Sequence, residues 1–144
     1  MVIGIASDHR GYELKKKILE KYNNMIDYGT DSTESTDYPK YAFKIGEDIR
    51  DKKIDLGILI CGSGIGMSIA CNKVKGVRCA KVNNELEVKY TRNDNDANVI
   101  SFSADVGLEV ALKMIDTFTN TPFSDEEKHK RRVNLISNYE DKNA

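Results

Sequence analysis

The feature that most restricts the fold is residues 56–60, which read Leu-Gly-Ile-Leu-Ile. An extended segment that is apolar on both faces has to be covered on both, as the middle strand of a parallel sheet is. Shorter β-rich segments alternate along the chain with longer amphipathic ones. These segments are 2–6, 25–28, 77–82 and 98–102. The alternation predicts an α/β fold in which helices cover both faces of a five-stranded parallel sheet.

The predicted helices carry apolar side chains at spacings of three and four residues. They cover 12–22, 39–52, 67–74, 85–90, 106–118 and about 125–139. The last helix is capped by Ser124 or Asp125, and Glu127 lies three residues after Ser124, in capping-box register. Residues 140–144 resemble a frayed tail. A chain of 144 residues without a linker or internal repeat is expected to form a single domain, 1–144.

Composition argues against several kinds of partner. Twenty-two Lys and Arg against 23 Asp and Glu give a net charge of −1, whereas non-specific nucleic-acid binding needs a basic surface. No segment approaches the ~20 apolar residues of a membrane helix, and residues 2–6 are too short for a signal peptide. Three cysteines, an odd number, favour reduced thiols. We therefore expect a cytoplasmic protein with neither nucleic-acid nor membrane partners.

The third strand ends in Cys61-Gly62-Ser63-Gly64-Ile65-Gly66, the glycine turn. In open α/β sheets, ligands bind at the carboxyl ends of the strands. Glycines bring backbone N–H groups close to a ligand, and a following helix adds its positive end, so the turn suits a phosphate or an oxyanion. The same charges favour a thiolate at Cys61. The alternative is an ordinary strand-to-helix turn with a buried cysteine. The turn matches neither a dinucleotide fingerprint nor a P-loop.

Three other segments allow both a structural and a functional interpretation. After the first strand, Asp8 and His9 either cap a helix or, if strands one and three are neighbours, face the glycine turn. Residues 91–96 form either a polar turn or part of a site. The basic run 128–132 is either a solvated helix face or a phosphate site. The remaining cysteines, Cys71 and Cys79, are expected to be buried and structural.

Together, these motifs resemble the type B ribose-5-phosphate isomerase family, which includes the galactose-6-phosphate isomerase subunits. The resemblance covers essentially the whole chain. It rests on Ser7-Asp8-His9, Thr36-Asp37-Tyr38-Pro39, the glycine turn, Asn72-Lys73-Val74, Asn95-Asp96-Ala97-Asn98 and Arg132-Val133.

The resemblance implies a Rossmann-like three-layer α/β/α sandwich and a homodimer or tetramer with active sites at the subunit interface. It also implies a small-molecule sugar phosphate as substrate, without metal or cofactor. The expected reaction interconverts ribose 5-phosphate and ribulose 5-phosphate, a step of the pentose phosphate pathway.

The resemblance also implies roles for individual residues. Cys61 is the general base that forms an enediolate, and Asp94 stands at the position of the ring-opening group, which Asp37 helps to orient. The implied substrate-binding residues are Asp8, His9, Gly62, Ser63, Gly64, Ile65, Gly66, Asn95, Lys128 and Arg132, of which the last two hold the phosphate.

Three positions depart from the family pattern. Asp94 stands where a ring-opening histidine is common, and Asp105 and Lys128 stand where arginines are common. A carboxylate is a poor proton donor at neutral pH, and lysine lacks the bidentate fork of arginine. Two alternatives therefore remain open. One is the cysteine-bearing subunit of a galactose-6-phosphate or other hexose-6-phosphate isomerase, and the other is a non-catalytic sugar-phosphate-binding domain.

Overall fold

The structure, a computed structural model, describes residues 1–143. Its strands are β1 (Ile3–Ser7), β2 (Ile26–Asp27), β3 (Leu56–Cys61), β4 (Cys79–Lys81) and β5 (Val99–Ser103). Its helices are α1 (Tyr12–Lys21), α2 (Pro39–Arg50), α3 (Ile65–Cys71), α4 (Glu85–Asn95), α5 (Leu108–Asn120) and α6 (Glu127–Lys142). A short 3₁₀ turn, Ala104–Val106, follows β5. None of the helices within residues 1–143 combines the length and apolar character needed to cross a bilayer.

The five strands form one parallel sheet in the order β2-β1-β3-β5-β4. All six residues of β3 are buried, which confirms that the doubly apolar segment is the middle strand. Its alternate side chains enter two apolar clusters: Ile58 and Ile60 pack with α1 and α5, whereas Leu59 and Cys61 pack with α2 and α3. The sequence prediction of a parallel sheet covered on both faces, a three-layer α/β fold, is confirmed.

The helices before and after β4, α3 and α4, have different bounds from those predicted. Helix α4 continues to Asn95, so the segment expected as a polar turn is the helix's last turn, and Asp96 ends it with a φ of 48°. Aspartate is one of the few residues besides glycine that adopt this left-handed conformation, and the Arg92 guanidinium bonds Asp96 Oδ1 over 2.9 Å. Helix α3 begins at Ile65 and ends at Cys71, since the Asn72 side chain turns to bond both backbone groups of Cys79.

Helix α6 also differs from the prediction at both ends. The expected capping box is wrong, because Ser124 Oγ accepts from the backbone N–H of Glu126 and the helix begins only at Glu127. At the other end the helix continues to Lys142, through most of the tail expected to fray. Glu140 Oε1 accepts from the N–H of Gly76 over 2.7 Å, and this contact ties the last turns to the loop before β4.

Candidate active site

Cys61 ends β3 with its side chain buried, at 5% exposure of the residue. The backbone N–H of Gly64 donates to Cys61 Sγ over 3.1 Å. Gly64 has a φ of +81°, and a Cβ there would lie 2.7 Å from the Cα of Phe102. Glycine is therefore required at this position, both by its backbone conformation and by the close approach to β5. The turn holds the sulfur beside a backbone donor at the carboxyl edge of the sheet.

Two serines of β5 hold the glycine turn in place. Ser101 Oγ donates to the carbonyl of Gly64 over 2.8 Å, and Ser103 Oγ donates to the carbonyl of Gly62 over 2.7 Å. The N–H groups of Ser63 and Gly66 have no acceptor within residues 1–143, so they can donate to a bound anion. These serines belong to none of the motifs identified in the sequence. Two hydroxyls, two residues apart on one face of an otherwise apolar strand, were the available signal.

Strands β1 and β3 are neighbours, which is the condition for the functional interpretation of Asp8 and His9, and this pairing brings both residues beside the turn. The N–H of Asp8 donates to the carbonyl of Ile60 over 3.1 Å. Asp8 is buried, and its Oδ1 accepts from the N–H groups of Arg10 and Gly11, so it also stabilises the turn before α1. His9 Nδ1 accepts from the N–H of Thr36 over 3.2 Å, which leaves the proton of the neutral ring on Nε2.

Two further side chains, neither of them among the predicted site residues, border the glycine turn. A Cβ at Gly62 would lie 2.5 Å from Arg10 Nη1, and a Cβ at Gly66 would lie 2.5 Å from the Tyr38 ring. The guanidinium thus lies against the start of the turn and the aromatic ring against its end. Glycines at 62 and 66 make room for them. Asp37, next to Tyr38, is exposed.

Asp105 lies close to the same turn. Its backbone N–H donates over 3.0 Å to Ser103 Oγ, the hydroxyl that holds the carbonyl of Gly62. The residue is exposed. Asp105, which stands where the family pattern has an arginine, therefore lies at the carboxyl edge of the sheet, near the candidate anion site.

Asp94 and Asn95 lie at the opposite edge of the sheet from Cys61. They end α4, which follows β4 and precedes β5, so the helix runs from the carboxyl edge back to the amino edge. The 11 residues of α4 span about 16 Å along the helix axis. Within one chain the predicted site residues therefore form two separate groups, one around Cys61 and one around Asp94.

The second group includes a histidine of the basic run 128–132 that was not among the predicted site residues. His129 of α6 is 12% exposed, and its Nε2 lies 3.7 Å from Asp94 Oδ1. Its Nδ1 lies 3.7 Å from Glu126 Oε2, which is also 3.6 Å from the Lys128 ammonium. The Asn93 amide donates to Asp94 Oδ1 over 2.7 Å and holds the carboxylate in place.

The remaining members of this group lie along α4 and α6. Arg132 is exposed one turn after Lys128. Asn95 lines a cavity of about 380 Å³ together with Cys79 and Ile136. The larger cavity, about 840 Å³, lies at the amino edge between Arg78, Arg92 and Asp96 and contains none of the predicted residues.

The other two cysteines are free thiols. Cys71 is fully buried, as expected, but Cys79 is only partly buried, because β4 is an edge strand. The hydrogen bond to Cys79, together with burial, raises the pKa of Cys71, whereas the same bond lowers the pKa of Cys79. Across residues 1–143, no three His, Cys, Asp or Glu side chains lie close enough together to bind a metal ion.

Comparisons with known proteins match the chain over nearly its whole length. The sequence model of the Ribose/Galactose Isomerase family matches residues 3–136. Ribose-5-phosphate isomerase B of Escherichia coli is 38% identical, over 94% of this chain and 93% of its own. The structure of ribose-5-phosphate isomerase B from Clostridium thermocellum is 41% identical, with a TM-score of 0.93 over 100% of both chains.

A third relative was solved with a sugar phosphate bound. The Mycoplasma genitalium ribose-5-phosphate isomerase B, in complex with ribulose 5-phosphate, is 38% identical to this chain. The similarity covers 96% of this chain and 95% of the relative, with a TM-score of 0.89.

Proposed function

Because the chain belongs to the ribose/galactose isomerase family and is therefore a sugar-phosphate isomerase, we propose that it interconverts ribose 5-phosphate and ribulose 5-phosphate. The observation that carries this proposal is the glycine turn. A buried cysteine accepts a backbone hydrogen bond there, beside N–H groups that have no acceptor within the described chain. A base next to an oxyanion site is what an aldose–ketose isomerisation requires.

Cys61 acts as the general base in this proposal. Its thiolate takes the proton from C2 of the open-chain aldose and returns it to C1, while the C2 hydroxyl becomes the carbonyl and the C1 carbonyl becomes the hydroxyl. The intermediate is an enediolate, whose negative oxygen accepts from the N–H groups of the turn. Ser63, exposed at the turn, hydrogen-bonds the reacting oxygens. Asp8 and His9 bind the sugar from the β1 side.

A second copy of the chain completes each site in this proposal, as a homodimer or as a tetramer of dimers. The support is a separation within one chain: Cys61 lies too far from Asp94 and Lys128 for all three to contact one five-carbon sugar. Large apolar side chains are also exposed at i, i+4 spacing on α3, beside the glycine turn, and on α4. These are Ile65 and Ile69, and Leu86 and Tyr90. Such faces favour burial against another chain.

In this arrangement the partner's α4 and α6 supply the remaining groups. Asn95 binds the sugar, and Lys128 and Arg132 hold its phosphate. Both cations are exposed on α6, so a docked copy can reach them without displacing core residues. No metal or cofactor takes part in the proposed reaction. Free thiols at all three cysteines agree with a cytoplasmic location.

Asp94 supports one alternative substrate. Without a histidine at this position, the chain could be the cysteine-bearing subunit of an isomerase for galactose 6-phosphate or another hexose 6-phosphate. Its partner subunit would then supply the ring-opening group. A non-catalytic sugar-phosphate-binding domain is disfavoured by the intact Cys61 turn.

The test is turnover by the purified protein alone on five- and six-carbon sugar phosphates. We expect ribose 5-phosphate to be converted to ribulose 5-phosphate. Cys61→Ala should lower kcat by about a hundredfold or more, as expected for loss of a general base, whereas Cys79→Ala serves as the matched control with near-normal turnover. Turnover of hexose phosphates alone, or full activity of Cys61→Ala, would contradict the proposal.

A further inference from the structure

We propose that His129 and Asp94 form the acid–base pair that opens the furanose ring of the substrate. This inference rests on the proposed function. Ribose 5-phosphate in water is mainly a cyclic hemiacetal, and Cys61 cannot enolise a sugar whose C1 carbonyl is masked. The protein therefore needs a proton donor and a proton acceptor at the hemiacetal, separate from the base that acts at C2.

The contacts around His129 prepare it for this role. Its Nε2 lies 3.7 Å from Asp94 Oδ1, and the Asn93 amide holds that oxygen over 2.7 Å. Asn93 is itself anchored, because its backbone carbonyl accepts from the N–H of Ser124 over 3.1 Å. The imidazole and the carboxylate are thus brought together from two helices, 35 positions apart in the chain, by packing of α6 on α4.

The environment of the second ring nitrogen also points to a proton-transfer role. His129 Nδ1 is buried and has no hydrogen-bond partner, and the nearest carboxylate oxygen, on Glu126, is 3.7 Å away. A histidine kept only for packing would satisfy this nitrogen. The carboxylates of Asp94 and Glu126 thus flank the imidazole, one beside each ring nitrogen.

The chemical step balances without any further reactant. The His129 imidazolium gives a proton to the ring oxygen as the C1–O4 bond breaks. The Asp94 carboxylate takes the proton of the anomeric hydroxyl as the C1 carbonyl forms. The proton on Asp94 then passes to His129 across their contact and restores both groups. Nothing is oxidised or reduced, and the open-chain aldehyde is ready for Cys61.

The pair explains how the chain manages without a histidine at position 94. A carboxylate alone is a poor proton donor at neutral pH, whereas histidine exchanges protons there. The chain has two histidines, and Nδ1 of the other, His9, is occupied by the N–H of Thr36 in the Cys61 group. Asp94 is 38% exposed, so it is accessible to a sugar that the partner's glycine turn presents.

The test is a single-turnover experiment with enzyme in excess over substrate, run in both directions. For the wild type, conversion of ribose 5-phosphate should accelerate as enzyme is added. For His129→Asn and Asp94→Asn, it should reach a ceiling set by uncatalysed ring opening, independent of enzyme concentration. Ribulose 5-phosphate cannot close a furanose ring, because its C5 oxygen carries the phosphate. Its conversion should therefore stay near the wild-type rate in both variants.

Two controls separate this role from a structural one. Lys130→Asn changes an exposed residue next to His129 on α6 and should behave as wild type. His129→Gln, which keeps a polar side chain, should show the same ceiling as His129→Asn. A variant that slows both directions equally, or neither, would overturn the inference. A wild type that converts neither sugar would instead overturn the proposed function.

Mixed dimers test whether the pair acts in the partner's site. Cys61→Ala and His129→Asn chains each lack one group, so a hybrid has one site with both groups intact and one with neither. Random pairing should restore enzyme-dependent conversion in about a quarter of the sites. If no fast phase returns in mixtures that contain the hybrid, the two residues do not complete the partner's site and the inference fails.

Discussion

The backbone N–H of Gly64 donates to Cys61 Sγ over 3.1 Å. The contact exists because Gly64 lies directly against the backbone of Phe102, where no side chain fits. The sulfur's position therefore depends on the missing Cβ of a residue three positions away.

Gly64→Ala should abolish activity and destabilise the fold. The added Cβ would lie 2.7 Å from Phe102 Cα, and the backbone of a buried strand cannot move away. We expect a loss of about 3 kcal/mol in the free energy of unfolding, measured by denaturant titration. Gly76→Ala is the matched control, since Gly76 has a φ of +86° with nothing within 4 Å of a Cβ. It should cost about 1 kcal/mol. Equal losses at both positions would show that backbone strain alone matters.

Arg10→Met should weaken catalysis because it removes a positive charge beside Gly62. We expect kcat/KM to fall about tenfold at low ionic strength, since a cation at the anion site raises the local concentration of a phosphorylated substrate. Added salt should reduce the difference in kcat/KM between the variant and the wild type, because it screens the charge of Arg10. The control is Lys17→Met, an exposed cation on α1. Identical kcat/KM values for Arg10→Met and wild type at low salt would exclude this role.

Asp27→Ala should destabilise the protein more than Lys15→Met. Lys15 is 1% exposed and its ammonium bonds Asp27 Oδ1 over 2.6 Å and the Thr30 carbonyl over 2.7 Å, whereas Asp27 is 41% exposed. Removing Asp27 leaves a buried charge with one partner, at a cost of about 3 kcal/mol. Removing Lys15 leaves a carboxylate that water can solvate. Thermal and denaturant unfolding of both variants should show this order, and the double variant should be more stable than Asp27→Ala.

The free energy of unfolding should fall above pH 10 because Tyr28 loses its proton there more easily in the unfolded chain than in the folded protein. Burial and its hydrogen bond to Asp48 raise the pKa of Tyr28 to about 12, from an ordinary value of 10.0. The fold favours the protonated phenol, so its contribution is complete below pH 10 and is lost as the pH rises from 10 to about 12. Tyr28→Phe lacks the hydrogen bond and should be less stable at pH 7 by about 1.5 kcal/mol. The difference should shrink across that interval, and a constant difference would contradict the assignment.

Parts of the candidate site that consist of residues adjacent in the sequence could be predicted, whereas contacts between residues distant in the sequence could not. The glycine turn and its cysteine were predictable because both lie at the end of one strongly apolar strand. The contacts of Arg10 with Gly62, of Tyr38 with Gly66 and of Asp94 with His129 were not. Each joins residues far apart in the chain, and the individual residue types are common on protein surfaces.

The amino-acid sequence by itself determined the parallel sheet, the buried middle strand and the candidate base, because hydrophobic periodicity and glycine content act over a few neighbouring residues. The tertiary structure decided which groups share a site. Strand order placed β1 beside β3, and so brought Asp8 and His9 to Cys61. The return direction of α4 carried Asp94 to the opposite edge, where packing of α6 supplied His129. Long-range packing sets these distances, and no local pattern encodes them.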